Sequence, residues 1–198
     1  MAATRTWWAT RTWWATRTWR ARGACGAAVA LAVAAGVLGT AEASTAARPE
    51  VTLVFDKNPQ HPDRSTLTLS RGGERQARYR AGSGDGSTDD CAAGRGWLPD
   101  GQWRIVLKDR RFKGGKVRGY GLQLGDMRCA GGEVTRTGMF VHSEMHRDGS
   151  QGDTEPRRWD GEADYLSDGC VKLRPEDIKD LFRRLDALGW PERLRVVP

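Results

Sequence analysis

Between Val51 and Val197 the chain carries seven short runs of β-branched, aromatic and aliphatic residues, and one stretch with helical spacing. The runs are Val51–Phe55, Ser65–Ser70, Gln76–Arg80, Gln102–Leu107, Tyr120–Leu124, Gly138–His142 and Arg193–Val197. None exceeds six residues, and turn-forming clusters such as Arg71-Gly72-Gly73 lie between them. Short runs of this composition suit half-buried strands and stop before a helix can gather its turns. Gly82–Gly94 reads as a long polar loop. The helical exception is Pro175–Leu188, where Ile178, Leu181, Phe182, Leu185 and Leu188 recur on one face. Pro175 suits a first helical position, Glu176 and Asp177 favour the positive end of the helix dipole, and Gly189 and Pro191 stop it. The expected fold is mainly β, a barrel or sandwich with one helix toward the C-terminal side.

The segment before the first run has a different character. Ala3–Trp8, Ala9–Trp14 and Ala15–Arg20 form near-identical hexads, too short for a repeat architecture, and are set aside as low-complexity sequence. Arg20 and Arg22 then precede an apolar run, Gly26–Leu38, followed by Ala41-Glu42-Ala43. A basic flank, a short apolar stretch and an A-x-A site make a secretory signal peptide. A buried Ala-rich helix is the bland alternative. The expected organisation is a leader over 1–43 and one exported domain over 44–198, secreted to the cell wall or periplasmic space. Residues 1–43 hold five arginines and one glutamate, so removing them lowers the formal charge from +7 to +3. That remainder suits work beside an anionic cell wall and is too weak to argue nucleic acid. The 29% charged fraction excludes a polytopic membrane protein.

The exported part keeps Cys91, Cys129 and Cys170. An odd count in an oxidising compartment implies one disulfide and one free thiol. Cys91 and Cys129 share polar loop settings, so they are expected to pair. Cys170 sits in Ser167-Asp168-Gly169-Cys170-Val171-Lys172-Leu173, after a turn and before the helix. Nucleophilic cysteine chemistry needs a thiolate, a base for its proton and donors for an oxyanion. Gly169 permits a turn that aims consecutive N–H groups into one pocket. His142, at the end of an apolar strand, is held rigidly behind and open in front. On the residues alone, Cys170 can also be a half-cystine or an inert core thiol.

Phe140-Val141-His142-Ser143, followed by Ser167-Asp168-Gly169-Cys170-Val171-Lys172-Leu173, resembles the L,D-transpeptidase catalytic domain family (YkuD-type). Leu98-Pro99-Asp100-Gly101-Gln102-Trp103-Arg104-Ile105 is similar to that family's Pro-x-Gly segment upstream of the active site. The resemblance implies that Cys170 is the nucleophile, that His142 is the base, and that the Ser143 carbonyl orients the imidazole. It also implies an oxyanion hole from the Gly169 and Cys170 N–H groups. Ser167, Asp168 and Trp159 are then the residues expected to meet substrate. The implied substrates and partners are peptidoglycan stem peptides, with no cofactor, no metal and no obligate protein partner. Two departures stand out. Asp168 replaces the family's second histidine, and the 143–166 span is long, with an Arg147–Asp164 excess that reads as a substrate lid or a solvated insertion.

Rival readings stay open at this level. His142, His146 and Cys170 could ligate zinc, though HExxH spacing and a helical setting are missing. Asp148–Asp153 lacks the frame of a calcium loop. Water in place of an amine acceptor would make the enzyme an L,D-carboxypeptidase, and a non-catalytic wall-binding module could keep the fold without turnover.

Overall fold

The structure, a computed structural model, describes residues 48–150, 152, 159 and 161–198. The leader expected over 1–43 and most of the Arg147–Asp164 excess lie outside the described residues. Ten strands and one helix follow in order: β1 (Val51–Asp56), β2 (Ser65–Arg71), β3 (Glu74–Ser83), β4 (Gly101–Lys113), β5 (Arg118–Leu124), β6 (Met127–Arg128), β7 (Thr135–Arg136), β8 (Phe140–His142), β9 (Val171–Lys172), α1 (Pro175–Leu188) and β10 (Arg193–Val197). Eight strands close into a barrel in the order β1-β10-β4-β5-β8-β9-β3-β2, while β6 and β7 form a separate ribbon. Of the barrel and sandwich left open by the sequence, the chain adopts the barrel. Among the described residues, no helix is long and apolar enough to cross a membrane.

Alternation builds the wall. Leu53 and Phe55 on β1 face Leu69 and Leu67 on β2, and Leu194 and Val196 on the parallel β10. All six are buried, and their neighbours along each strand turn outward. Burying such a side chain contributes about 1.5–3 kcal/mol against leaving it exposed. The β2–β3 hairpin turns through Gly72 and Gly73 at φ 58° and 83°, with Arg71 opposite Glu74. Two positive-φ residues are what a tight right-twisted hairpin requires. Trp103 is buried and donates from Nε1 to the Pro99 carbonyl at 2.8 Å, which pins the Pro99–Gly101 segment to β4.

The helix spans Pro175–Leu188, with Ile178, Leu181, Phe182 and Leu185 buried in the same core. Tyr79 on β3 donates to Asp180 at 2.8 Å, and Arg184 donates to the same carboxylate at 2.7 Å. These bonds hold the Asp180 carboxyl down at about 2 despite the opposing effect of burial. Several elements exceed the sequence reading: β3 takes in Gly82 and Ser83, expected as the start of the polar loop, because they pair with Lys172 and Val171, and β6 and β7 form where no run was read. β4 runs on to Lys113 through the charged stretch Lys108–Lys113, where no apolar alternation marks a strand. β9 is two residues long and forms because β8 lies alongside it: Val141 pairs with Val171, His142 with Lys172, and the Leu173 N–H donates to the His142 carbonyl at 2.9 Å. This parallel junction brings the two halves of the motif together.

Candidate active site

His142 ends β8, between Gly121 of β5 and Lys172 of β9, and is 6% exposed. Its Nδ1 lies 3.1 Å from the Ser143 carbonyl. A carbonyl only accepts, so Nδ1 carries the proton and Nε2 is left as the acceptor. Burial, with the Lys172 ammonium adding, pushes the imidazole down from 6.5 to about 4, against the opposing pull of the Ser143 carbonyl. The ring is therefore neutral at neutral pH.

Cys170 stands at the end of a braced turn. The Ser167 hydroxyl donates to the Cys170 carbonyl at 2.7 Å and accepts the Gly169 and Gly84 N–H groups, each at 3.1 Å. Ser83 Oγ donates to the Gly169 carbonyl at 3.0 Å. Gly169 sits at φ +114°, a conformation L side chains rarely adopt. The Ser167 hydroxyl is thus spent inside the protein, shaping the turn. Its bond also occupies the Gly169 N–H, while among the described residues the Cys170 N–H is not taken up. The Cys170 thiol is free and 7% exposed. Burial pushes it up to about 11, and Asp168 adds to the rise. A backbone interaction with Phe140 and the charges of Arg136 and Lys172 pull the other way. At rest, thiol and imidazole are both neutral.

Cys170, His142, Ser167 and Asp168 line one cavity of about 830 Å³. Two charge pairs that the sequence reading missed share its wall. Lys172 meets Glu144 at 2.5 Å, with Lys172 almost fully buried, and Lys116 pairs with Asp168, where both side chains are largely exposed. Glu144 and Lys172 each lie two residues beyond a motif residue, so strand alternation carried a signal for them. Nothing near Lys116 in sequence points to Asp168. The Asp168 carboxylate, expected to meet substrate, holds an ammonium from the β4–β5 hairpin.

Ser143, whose carbonyl meets His142 Nδ1, is buried, and among the described residues its hydroxyl has no hydrogen-bond partner. Trp159 packs edge-to-face on Tyr165 at 4.9 Å, with the Lys172 ammonium 5.7 Å from its ring, and is not among the cavity-lining residues described. Cys91 and Cys129 are joined in a disulfide, with Cα atoms 5.1 Å apart. Among the described residues, the one set of three ligand-type atoms within 4.8 Å of each other is Asp90, Cys91 and Cys129, and both sulfurs there are spent in that bond. His142, His146 and Cys170 do not form such a set.

The family model of the L,D-transpeptidase catalytic domain (YkuD) matches residues 52–189. No curated protein matches the sequence. Among solved structures, Mycobacterium tuberculosis L,D-transpeptidase 1 is 18% identical, with TM-score 0.41 over 76% of this chain and 62% of that one. L,D-transpeptidase 3 from the same organism, solved with a faropenem-derived adduct, is 14% identical, with TM-score 0.45 over 75% and 61%. An L,D-transpeptidase from Mycobacterium smegmatis is 15% identical, with TM-score 0.41 over 75% and 59%. The chain spans about three fifths of the length of those proteins. On the extent of the family match, the chain belongs to the L,D-transpeptidase catalytic domain family.

Proposed function

With that membership as the premise, we propose that the chain is an exported cysteine L,D-transpeptidase acting on peptidoglycan stem peptides. The observation that carries this reading is that a free thiol and a neutral imidazole line one cavity, with the Cys170 N–H unspent among the described residues. Because both groups are neutral at rest, proton transfer accompanies attack. His142 Nε2 takes the thiol proton as Cys170 Sγ bonds to the carbonyl carbon preceding the terminal D-amino acid of a stem. The Cys170 N–H donates to the oxyanion, and the Gly169 N–H joins it only by leaving Ser167 Oγ. Collapse breaks the peptide bond, and His142 returns the proton to the departing amine. The thioester then passes its acyl group to an amine of a neighbouring stem, with the amine proton going to His142 and the thiol restored.

Hydrolysis is the second reading, and one observation favours it. An acceptor ammonium that seeks Asp168 must first displace Lys116, whereas water need not. The test is intact-mass spectrometry with a carbapenem and with a tetrapeptide stem, each with and without an amine acceptor. A covalent adduct on wild type that is lost in Cys170→Ala is the expected result. A wild-type protein that forms no adduct with either reagent refutes the proposal. For export, the expected product is a mature chain beginning at Ser44, read by N-terminal sequencing of the secreted protein.

A further inference from the structure

Arg136, at the end of β7, is 2% exposed, yet among the described residues no carboxylate oxygen lies within 4.0 Å of it. Burial lowers its proton affinity, and the charges of Asp90 and Asp89 act on it only from further off, so its placement calls for a reason. Its guanidinium is held by carbonyls instead. Nη1 donates to Asp90 at 2.6 Å and Trp97 at 3.2 Å, and Nη2 donates to Gly96 at 3.0 Å and Asp168 at 3.4 Å. Nη2 also lies 3.8 Å from the Met139 sulfur. A Cβ built on Gly169 would stand 2.0 Å from Nη2, so the guanidinium packs directly against the turn that aims Cys170.

Both supports of this side chain lead to one covalent link. Among the described residues β7 pairs only with β6, where Met127 faces Arg136, and Cys129 directly follows β6. The carbonyl taken at 2.6 Å belongs to Asp90, the neighbour of Cys91. Asp90 Oδ2 in turn accepts the Ala130 N–H at 3.1 Å. The disulfide therefore ties the ribbon that carries Arg136 to the loop that receives it.

We propose that Arg136 is a positioning residue for the Cys170 turn, and that the Cys91–Cys129 disulfide is the latch that keeps it there. Arg136 donates to the Asp168 carbonyl and so fixes the Asp168–Gly169 peptide from which the chain enters the positive-φ turn; the next peptide, whose Gly169 carbonyl accepts from Ser83 Oγ, carries the Cys170 N–H on its opposite side. Its positive charge also favours a developing thiolate. The other charged or titratable groups around the thiol are His142 on β8, Asp168 in the turn with Lys116 paired to it, and the Lys172–Glu144 pair. Among the described residues, Arg136 is thus a buried cation of the site with no carboxylate in ion-pair contact, Asp90 and Asp89 acting on it from further off.

The proposal rests on Cys170 being the reactive thiol, and its test reads that thiol without requiring turnover. Iodoacetamide alkylation of the Cys170 peptide is followed against pH, alongside thermal melting. The chains compared are wild type, Arg136→Met, Arg136→Lys, the Cys91→Ser/Cys129→Ser pair, and that pair combined with Arg136→Met. Arg136→Met should raise the alkylation midpoint and slow the reaction near neutral pH by about tenfold, with Arg136→Lys intermediate. The serine pair should shift the profile in the same direction, and adding Arg136→Met to it should change little further. A folded Arg136→Met protein with the wild-type profile overturns the positioning role. Effects of the disulfide and of Arg136 that multiply independently overturn the latch. Should Arg136→Met fail to fold, a folded Arg136→Lys with an unshifted midpoint overturns the proposal by the same criterion. A wild type that alkylates at Cys170 but forms no adduct with a carbapenem or stem refutes the proposed function alone and leaves the role of Arg136 standing.

Discussion

Acid should weaken this domain through one buried ring, and replacing that ring should relieve part of the effect. His142 is neutral in the fold, with its proton affinity lowered from 6.5 to about 4 chiefly by burial. In the unfolded chain the ring protonates as pH falls through 6.5, while the folded ring stays neutral until about 4. The unfolded state then binds more protons than the native one, and stability drops as pH falls through that window. At about 1.4 kcal/mol per pH unit, the full loss below pH 4 comes to about 3 kcal/mol, with about 2 kcal/mol already gone at pH 5. Against a typical domain stability of about 5–15 kcal/mol, that is easily measured. The comparison is urea unfolding of wild type and His142→Gln at pH 7 and pH 5. Other titrating groups are common to both proteins and cancel in the difference. Wild type should lose about 2 kcal/mol more than the variant over this interval. Equal losses, within about 0.5 kcal/mol, would show that the imidazole is not held neutral by burial. The assignment of a neutral base at rest would then have to be withdrawn.

Gly169→Ala should cost about 2–5 kcal/mol and lower Tm, since a methyl there meets Arg136 and the Gly96 carbonyl at a positive φ; calorimetry reads it, and a cost below about 1 kcal/mol contradicts the packing. Cys170→Ala and His142→Ala should each abolish most turnover with little additivity, because they act as one unit, while His146→Ala costs far less; comparable losses at His146 and His142 in a kcat/KM assay would reopen a metal role. Asp168→Asn should leave acylation nearly intact and shift product partitioning toward hydrolysis, and stopped-flow acylation slowed about a thousandfold would place Asp168 among the reacting groups.

Several elements were plain before any coordinates. The helix keeps the bounds read from its stripe because Pro175, the five-residue apolar face and Gly189 act within one or two turns of chain. The inward residues of β1 and β2 were legible for the same reason: alternation is set by immediate neighbours. β4 beyond Leu107 was not, since Lys108–Lys113 pairs with β5 through its backbone while its side chains stay largely in solvent. β9 has too few residues to show a period at all.

The same division runs through the site. Cysteine, histidine and the glycine turn could be picked from the residues, because each carries its chemistry and its local backbone freedom with it. Their burial, and with it the neutrality of the thiol and the imidazole, depends on a barrel closed by strands far apart in sequence. The partners depend on it too: Arg136 reaches carbonyls 39 to 46 residues before it, and Lys116 reaches a carboxylate 52 residues after it. No local pattern encodes such a pairing. A charged side chain reads as solvated until the fold surrounds it, and the low dielectric that then makes its partners matter arises from the packed whole.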